Sequence, residues 1–206
     1  MTAYGGMIGG TALPDSNPVV GEAMARLAEE NALLRASLSE LRTRLEEMEK
    51  ASERDALTGL PNRPSFMRAL ERTVSQANRH GTPAALLYLD VDGLEAINAS
   101  HGQIAGDAAL IHVAKLVEDL IRTTDFAARV GGDEFAIILD HLDTDSAIET
   151  SERVSRCIAD NPLDLGKGTL PIQASISVAT ILRGDTVEDV VRRGELTMHK
   201  AKARLY

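Results

Sequence analysis

The sequence predicts an α+β fold: an antiparallel sheet carrying helices in ferredoxin-like order, preceded by a helix that pairs in a parallel coiled coil. Three observations predict it. Residues apolar at every position but Asn31 step by three and four in alternation from Met24 to Met48. Beyond Asp55, helical periodicity and strand-like runs follow one another in the order α-β-α-β-β-α-β-α. Two apolar runs, Phe126-Ala127-Ala128-Arg129-Val130 and Phe135-Ala136-Ile137-Ile138-Leu139, are separated only by Gly131-Gly132-Asp133-Glu134. A strand–helix–strand–strand–helix–strand core implies an antiparallel sheet with helices on one face.

The first helix is a heptad. Met24, Asn31, Leu38 and Leu45 take a positions, and Leu27, Leu34, Leu41 and Met48 take d. A helix packed on its own domain would carry a wider apolar stripe. Asn31 at a costs stability but can pair with its twin in a parallel, in-register dimer. The flanking charges agree. Glu30 at g faces Arg35 at e of a second copy, and Arg44 faces Glu49. A homodimer through this helix is therefore expected.

The globular part begins near Asp55. Asp55-Ala56-Leu57-Thr58-Gly59-Leu60-Pro61-Asn62-Arg63 gathers Gly, Pro and Asn, which breaks the helix. A helix follows from about Pro64 to His80. Ala84 to Leu89 is a continuous apolar run, the pattern of a buried strand, and it ends in Asp90-Val91-Asp92. Ala105 to Arg122 has helical periodicity. After the glycine turn come a helix over Ser146–Ile158, a strand over Ile172–Leu182 and a closing helix over Thr186–Arg204. No internal repeat appears beyond the heptads.

Composition removes several classes of function. The 206 residues suit one domain with an appendage, and 44% apolar content is ordinary. A formal charge of -9 argues against general nucleic-acid binding. It leaves nucleotide substrates open, because a divalent metal can carry phosphate charge. One cysteine, Cys157, permits no internal disulfide and suits a reducing compartment. No apolar run approaches the ~18 residues of a membrane span, and the start lacks a signal-peptide pattern. A soluble cytoplasmic protein is expected. Residues 1–18, rich in Gly, Pro and Thr, are read as a disordered tail.

The turn at Gly131 is the most informative stretch. Two glycines between strand-like runs predict a tight hairpin, because positive φ costs glycine little. Two carboxylates at its tip serve no turn. If the strand ending at Asp90 is a neighbour, Asp90 and Asp133 converge at one sheet edge. Carboxylates without His or Cys make a hard oxygen site suited to Mg²⁺ or Mn²⁺. By itself Asp-x-Asp reads as readily as a strand-end turn. There is no G-x-x-x-x-G-K-[ST] loop and no H-E-x-x-H, and the five histidines lack metal-ligand spacing. Cys157 sits on an apolar helix face, as a core residue would.

Taken together, these motifs resemble the GGDEF family, the diguanylate cyclases. Gly131-Gly132-Asp133-Glu134-Phe135 is similar to its signature. Asp55 to Arg63 resembles its opening motif, and Asp90-Val91-Asp92, Ile97-Asn98 and Gly106-Asp107 the run leading into its nucleotide pocket. The resemblance covers roughly residues 52–204. It implies a nucleotidyl-cyclase-type sheet and a reaction in which two GTP become cyclic di-GMP and two pyrophosphates. It implies that Asp90, Asp133 and the carbonyl of Val91 hold Mg²⁺ or Mn²⁺. Gly131 and Gly132 would let the backbone approach the phosphates. Asn98 and Asp107 would read guanine, and Lys202 would bind phosphate. Asp133, or Glu134 beside it, would help deprotonate the attacking hydroxyl.

The resemblance also implies an inhibitory product site at Arg122 and Asp125, with a further arginine at Arg153. Guanidinium forks suit phosphate, and a carboxylate suits the N–H groups of guanine. An R-x-x-D at a helix end is otherwise an ordinary surface ion pair. The chain departs from the family at Gly93-Leu94-Glu95 (usually His-Phe-Lys), Ala99 (Asp), His101-Gly102-Gln103 (Tyr-Gly-His) and Ser177 (Gly). Glu95 is expected to weaken triphosphate binding unless its side chain turns away. The family's final Gly-Arg-Asn is missing before Tyr206, so one phosphate-contacting arginine is expected to be absent.

The organisation expected is a tail over 1–18, a coiled-coil dimerisation helix over 19–52 and a GGDEF catalytic domain over 53–206. The tail is too short to fold alone, so input is expected through the coil, the tail or a partner. The expected function is a dimeric diguanylate cyclase with product feedback. The alternative is a weak or inactive module that binds cyclic di-GMP as an effector or scaffold.

Overall fold

The structure, a computed structural model, describes residues 18–51, 53–166 and 168–202. The expected tail lies, apart from Pro18, outside these residues. The chain divides into two compact units, Met1–Glu49 and Lys50–Tyr206.

The first unit is helix α1, Pro18–Ala51. Its heptad residues Met24, Leu27, Leu34, Leu38, Leu41 and Met48 are all exposed, between 56% and 71%. Arg44 pairs with Glu40 one turn earlier, at 2.8 Å. The side chains of Leu45 and Glu49 lie outside the described residues.

The second unit is built around a four-stranded antiparallel sheet, with β1 (Ala84–Val91), β2 (Phe126–Arg129), β3 (Glu134–Asp140) and a later strand of eight residues, Ala174–Ile181. Two helices lie between β1 and β2: α3 (Leu94–His101) and α4 (Gln103–Leu120). After β3 come α5 (Thr144–Asp160) and a small ribbon of β4 (Leu163–Asp164) and β5 (Thr169–Leu170). The strand Ala174–Ile181 is thus β6, and the sheet order is β2-β3-β1-β6. Helix α2 (Arg63–His80) leads into β1, and α6 (Val187–Lys202) follows β6.

Local chemistry sets the element ends. Asn62 caps α2, its side chain accepting from Ser65 N at 3.1 Å, and Gly81 closes the helix with φ +67. Asp143 caps α5 by accepting from Ser146 N at 2.8 Å.

The helices cover both faces of the sheet, which corrects the expectation of one. All eight residues of β1 are buried. Ala85, Leu87, Leu89 and Val91 pack in one cluster with Ala109 and Val113 of α4 and Val154 and Ile158 of α5. Leu86 and Tyr88, on the opposite face, pack with Phe66 and Leu70 of α2 and with Val190 and Met198 of α6. A strand apolar at every position has no face it can leave to water. The crossover helices α4 and α5 supply one cover, and the flanking helices α2 and α6 supply the other. Ser177 of β6 donates to Gly194 O of α6 at 2.9 Å, so the serine found where a glycine was expected ties sheet to helix.

Candidate active site

Strands β1 and β3 are neighbours, and their register sets Asp90 opposite Glu134. The backbone N–H of Val91 donates to Asp133 O at 3.0 Å. Asp90, Val91, Asp133 and Glu134 therefore meet at one end of the sheet. Asp90 is 5% exposed. The carboxyl of Glu134 is held above its ordinary range, first by burial and then by the charges of Asp90 and Asp133. Arg63 pulls in the opposite direction. Asp92 serves the fold, its carboxylate accepting from Ser175 Oγ at 2.8 Å.

The expected hairpin forms, β2 pairing antiparallel with β3, but its glycines do not use the positive φ expected of them. Val130 N donates to Glu134 O at 2.9 Å, and Gly131 N to the same oxygen at 3.2 Å. Each glycine is explained by space instead. A Cβ on Gly131 would overlap the Glu134 carboxylate and lie 3.1 Å from Glu134 Cβ. A Cβ on Gly132 would meet nothing within 4 Å. The first glycine makes room for an internal side chain. The second leaves backbone bare to the outside, as close approach of a ligand requires.

The turn is braced from the Asp55–Arg63 segment, which the sequence marks as a helix break and as a motif but not as a support for the turn. Arg129 of β2 donates through Nη1 to Asp55 Oδ1 at 3.1 Å and through Nη2 to Gly132 O at 2.6 Å. Arg129 N donates to Pro61 O at 3.0 Å, and Arg63 Nη1 to Val130 O at 3.3 Å. Burial alone would raise the Asp55 carboxyl, but bonds from Thr58 N and Oγ1 and the Arg129 guanidinium hold it below the usual range. The Asp55-x-x-Thr58 spacing is a readable turn signal. Its partner 74 residues away is not.

Asn98 and Asp107 sit on α3 and α4. A Cβ on Gly106 would overlap Asn98 Oδ1 and lie 2.9 Å from its Cγ, so the amide rests against the start of α4 beside Asp107. Asn98 Oδ1 is buried with no hydrogen-bond partner among the described residues. Such an atom is costly unless something outside the chain satisfies it. Lys202 is the last described residue of α6, and its side chain lies outside the described residues.

The donor set fits a hard divalent ion. Its members are carboxylate and carbonyl oxygens, and burial, then the charges of Asp90 and Asp133, raise the Glu134 carboxyl against the pull of Arg63. Among the described residues no ready-made group of three His, Cys, Asp or Glu side chains converges, so the donor set depends on the backbone carbonyl as well.

Residues 52–205 match the family described as "Diguanylate cyclase, GGDEF domain". The chain belongs to the GGDEF family. It is 32% identical over 158 residues to the diguanylate cyclase DgcP of Pseudomonas aeruginosa, covering 77% of this chain and 24% of that protein. It is 30% identical over 166 residues to the response regulator PleD of Caulobacter vibrioides, covering 79% of this chain and 37% of PleD. The chain thus spans between a quarter and two fifths of these relatives. A crystal structure of the coiled coil and GGDEF domain of DgcB from Caulobacter crescentus, in complex with c-di-GMP, aligns with TM-score 0.71 and 27% identity. That alignment covers 88% of this chain and 95% of that one.

Within this GGDEF domain, Arg122 and Asp125 line a groove of about 300 Å³ beside β2. Asp125 Oδ2 accepts from Arg122 N at 3.0 Å, and Oδ1 accepts from Asp140 N at 3.3 Å. The structure brings Arg122 and Asp125 together but leaves Arg153, exposed on α5, off the groove lining. Glu95 is exposed in the first turn of α3. Among the described residues no helix is long and apolar enough to cross a membrane.

Proposed function

We propose that this GGDEF protein condenses two GTP into cyclic di-GMP and two pyrophosphates, as a homodimer joined through α1, with feedback by product. The observation that carries the proposal is the strand register that sets Asp90 opposite Glu134, with Asp133 next in sequence and the backbone of Gly132 open to a ligand. Asp90, Asp133 and the Val91 carbonyl would hold Mg²⁺ or Mn²⁺. When bound, the ion would lower the pKa of the nucleotide hydroxyl and offset phosphate charge.

The chain's own residues have distinct roles. Asn98 and Asp107 bind guanine, the buried Oδ1 of Asn98 gaining the donor it lacks. Gly131 and Gly132 admit the phosphates to the backbone, and Lys202 supplies charge from α6. Each 3′-oxygen forms a bond to the α-phosphorus of the other nucleotide, the bond to pyrophosphate breaks, and a carboxylate accepts the proton. Glu134, with its raised affinity for a proton, suits that role, and Asp133 is the other candidate. Each subunit supplies half of the reacting pair, so the exposed a and d residues of α1 matter: pairing holds two half-sites at high effective concentration.

A second reading, a cyclic di-GMP effector without turnover, is favoured by the formed groove at Arg122 and by Glu95 standing where the family usually has lysine. Incubating the chain with GTP and Mg²⁺ separates the two. Product formation that Asp133→Ala abolishes supports the cyclase. No product, with cyclic di-GMP still bound, supports the effector.

A further inference from the structure

We propose that Arg63 and Tyr88 are positioning residues for the Glu134 carboxylate, holding it from the face of the sheet that carries α2 and α6. The inference rests on the cyclase reading above.

Register puts the site's carboxylates on that face. Side chains alternate along a strand, so Asp90 points to the same side as Leu86 and Tyr88. Glu134, directly opposite Asp90, points there too. Helix α4, which begins beside Asp107, packs on the other face. The neighbours of the Glu134 carboxylate therefore come from α2 and α6, away from the residues assigned to guanine.

Tyr88 is 3% exposed, and α6 fixes its ring. A Cβ on Gly194 would stand 3.5 Å from Tyr88 Cδ2 and 3.9 Å from its Cβ, so helix and ring are in contact. The hydroxyl of this clamped ring accepts a hydrogen bond from the Arg63 guanidinium. Arg63 Nη1 also donates to Val130 O at 3.3 Å, and Val130 N donates to Glu134 O at 2.9 Å. The guanidinium is thus held by β1 and by the turn before β3. Its charge acts on Glu134 against burial and the charges of Asp90, Asp133 and Glu195. The carboxylate itself is folded back over Gly131, where a Cβ would overlap it. A carboxylate set among carboxylates needs a fixed positive charge to hold its direction. Arg63 is that charge, and Tyr88 sets where its fork stands. A tyrosine in the apolar run of β1 reads as core, but core packing does not explain its hydroxyl.

The test uses the full chain and two measurements: Mn²⁺ affinity by calorimetry without nucleotide, and initial rates against GTP with Mg²⁺. Arg63→Gln is expected to tighten Mn²⁺ binding by about two- to fivefold, because a partly solvated positive charge leaves a cation site. It is also expected to lower kcat by about ten- to a hundredfold with KM for GTP within about threefold. Arg63→Lys, which keeps charge but not the fork, should return Mn²⁺ affinity to the parent value and recover kcat only in part. Tyr88→Phe keeps the Val130 bond and should lower kcat by about 2- to 13-fold at unchanged KM.

An Arg63 that served structure alone would loosen the turn when lost, and Mn²⁺ would bind more weakly. Weaker or unchanged Mn²⁺ binding in Arg63→Gln, or an unchanged kcat, therefore overturns the proposal. Arg63 is exposed, so its loss opens no cavity. If urea denaturation nonetheless shows that variant unfolded, Tyr88→Phe decides, and full turnover there overturns the assignment. A parent that binds Mn²⁺ but makes no product overturns the cyclase reading and leaves Arg63 to be decided by Mn²⁺ affinity. No Mn²⁺ binding by the parent overturns both.

Discussion

Gly106→Ala separates stability from function in one methyl group. The added Cβ would overlap Asn98 Oδ1, lie 2.9 Å from Cγ and 3.3 Å from Nδ2, so the Asn98 amide must rotate away. Rotation breaks no hydrogen bond at Oδ1, which has none among the described residues. An off-rotamer side chain costs about 0.5–1.5 kcal/mol. Alanine in place of glycine within α4 returns about 0.8–1.0 kcal/mol of helix propensity. The two nearly cancel, and the folded chain is expected to stay within about 1 kcal/mol of the parent. Guanine recognition does not cancel. Losing one amide bond to the base costs about 0.5–1.5 kcal/mol, or about 2- to 13-fold in KM for GTP, with kcat little changed. Urea denaturation and a GTP titration of initial rates measure the two quantities. An unchanged KM would refute the placement of Asn98 at the base. A loss of stability well above about 1 kcal/mol would refute the claim that the amide can turn aside.

Three further outcomes follow from the described contacts. Asp55→Asn weakens the Arg129 brace and should cost about 1–3 kcal/mol in urea denaturation, with a fall in kcat as the Gly132 turn loosens; full turnover would remove the brace from catalysis. The carboxyls of Asp55 and Asp185 are both held below their ordinary 3.8, the latter first by hydrogen bonds from Arg193. Their contribution is therefore complete above the unfolded value and disappears as pH falls through the lower folded values, and a chain carrying both Asp→Asn changes should show a shallower acid limb in a plot of stability against pH. Leu38→Glu, at an exposed a position of α1, should shift sedimentation toward monomer and make specific activity depend on protein concentration; an unchanged mass would sink the coil as the dimer contact.

Much of the fold is legible in the sequence because it depends on local pattern. The continuous apolar run of β1 and the periodicities of α2, α4 and α5 need no tertiary information. Helix α3 escapes notice because its eight residues are too few to show a helical period and stand between Gly93 and Gly102, both at positive φ. The β4–β5 ribbon has two residues per strand, too few to show alternation. At the site, motif order brings Asp90, Asp133 and Asn98 into consideration, but not the reasons each neighbour is small. Gly106 yields to an amide and Gly131 to a carboxylate, and both facts exist only when distant side chains have been placed. The Arg129 brace is hidden the same way, since an arginine inside an apolar strand run gives no sign of its partners.

The two adjacent glycines at the turn answer to different masters, and that gives a reading of history from a single position. Residue 131 is crowded from within the fold, first by the carboxylate of Glu134 and then by its Cβ and Cδ. Residue 132 faces open space and is restrained only by whatever comes from outside. In descendants that keep the fold but abandon the chemistry, glycine should persist at 131 while 132 drifts. A substitution confined to the second glycine would mark a lineage that has stopped meeting its substrate.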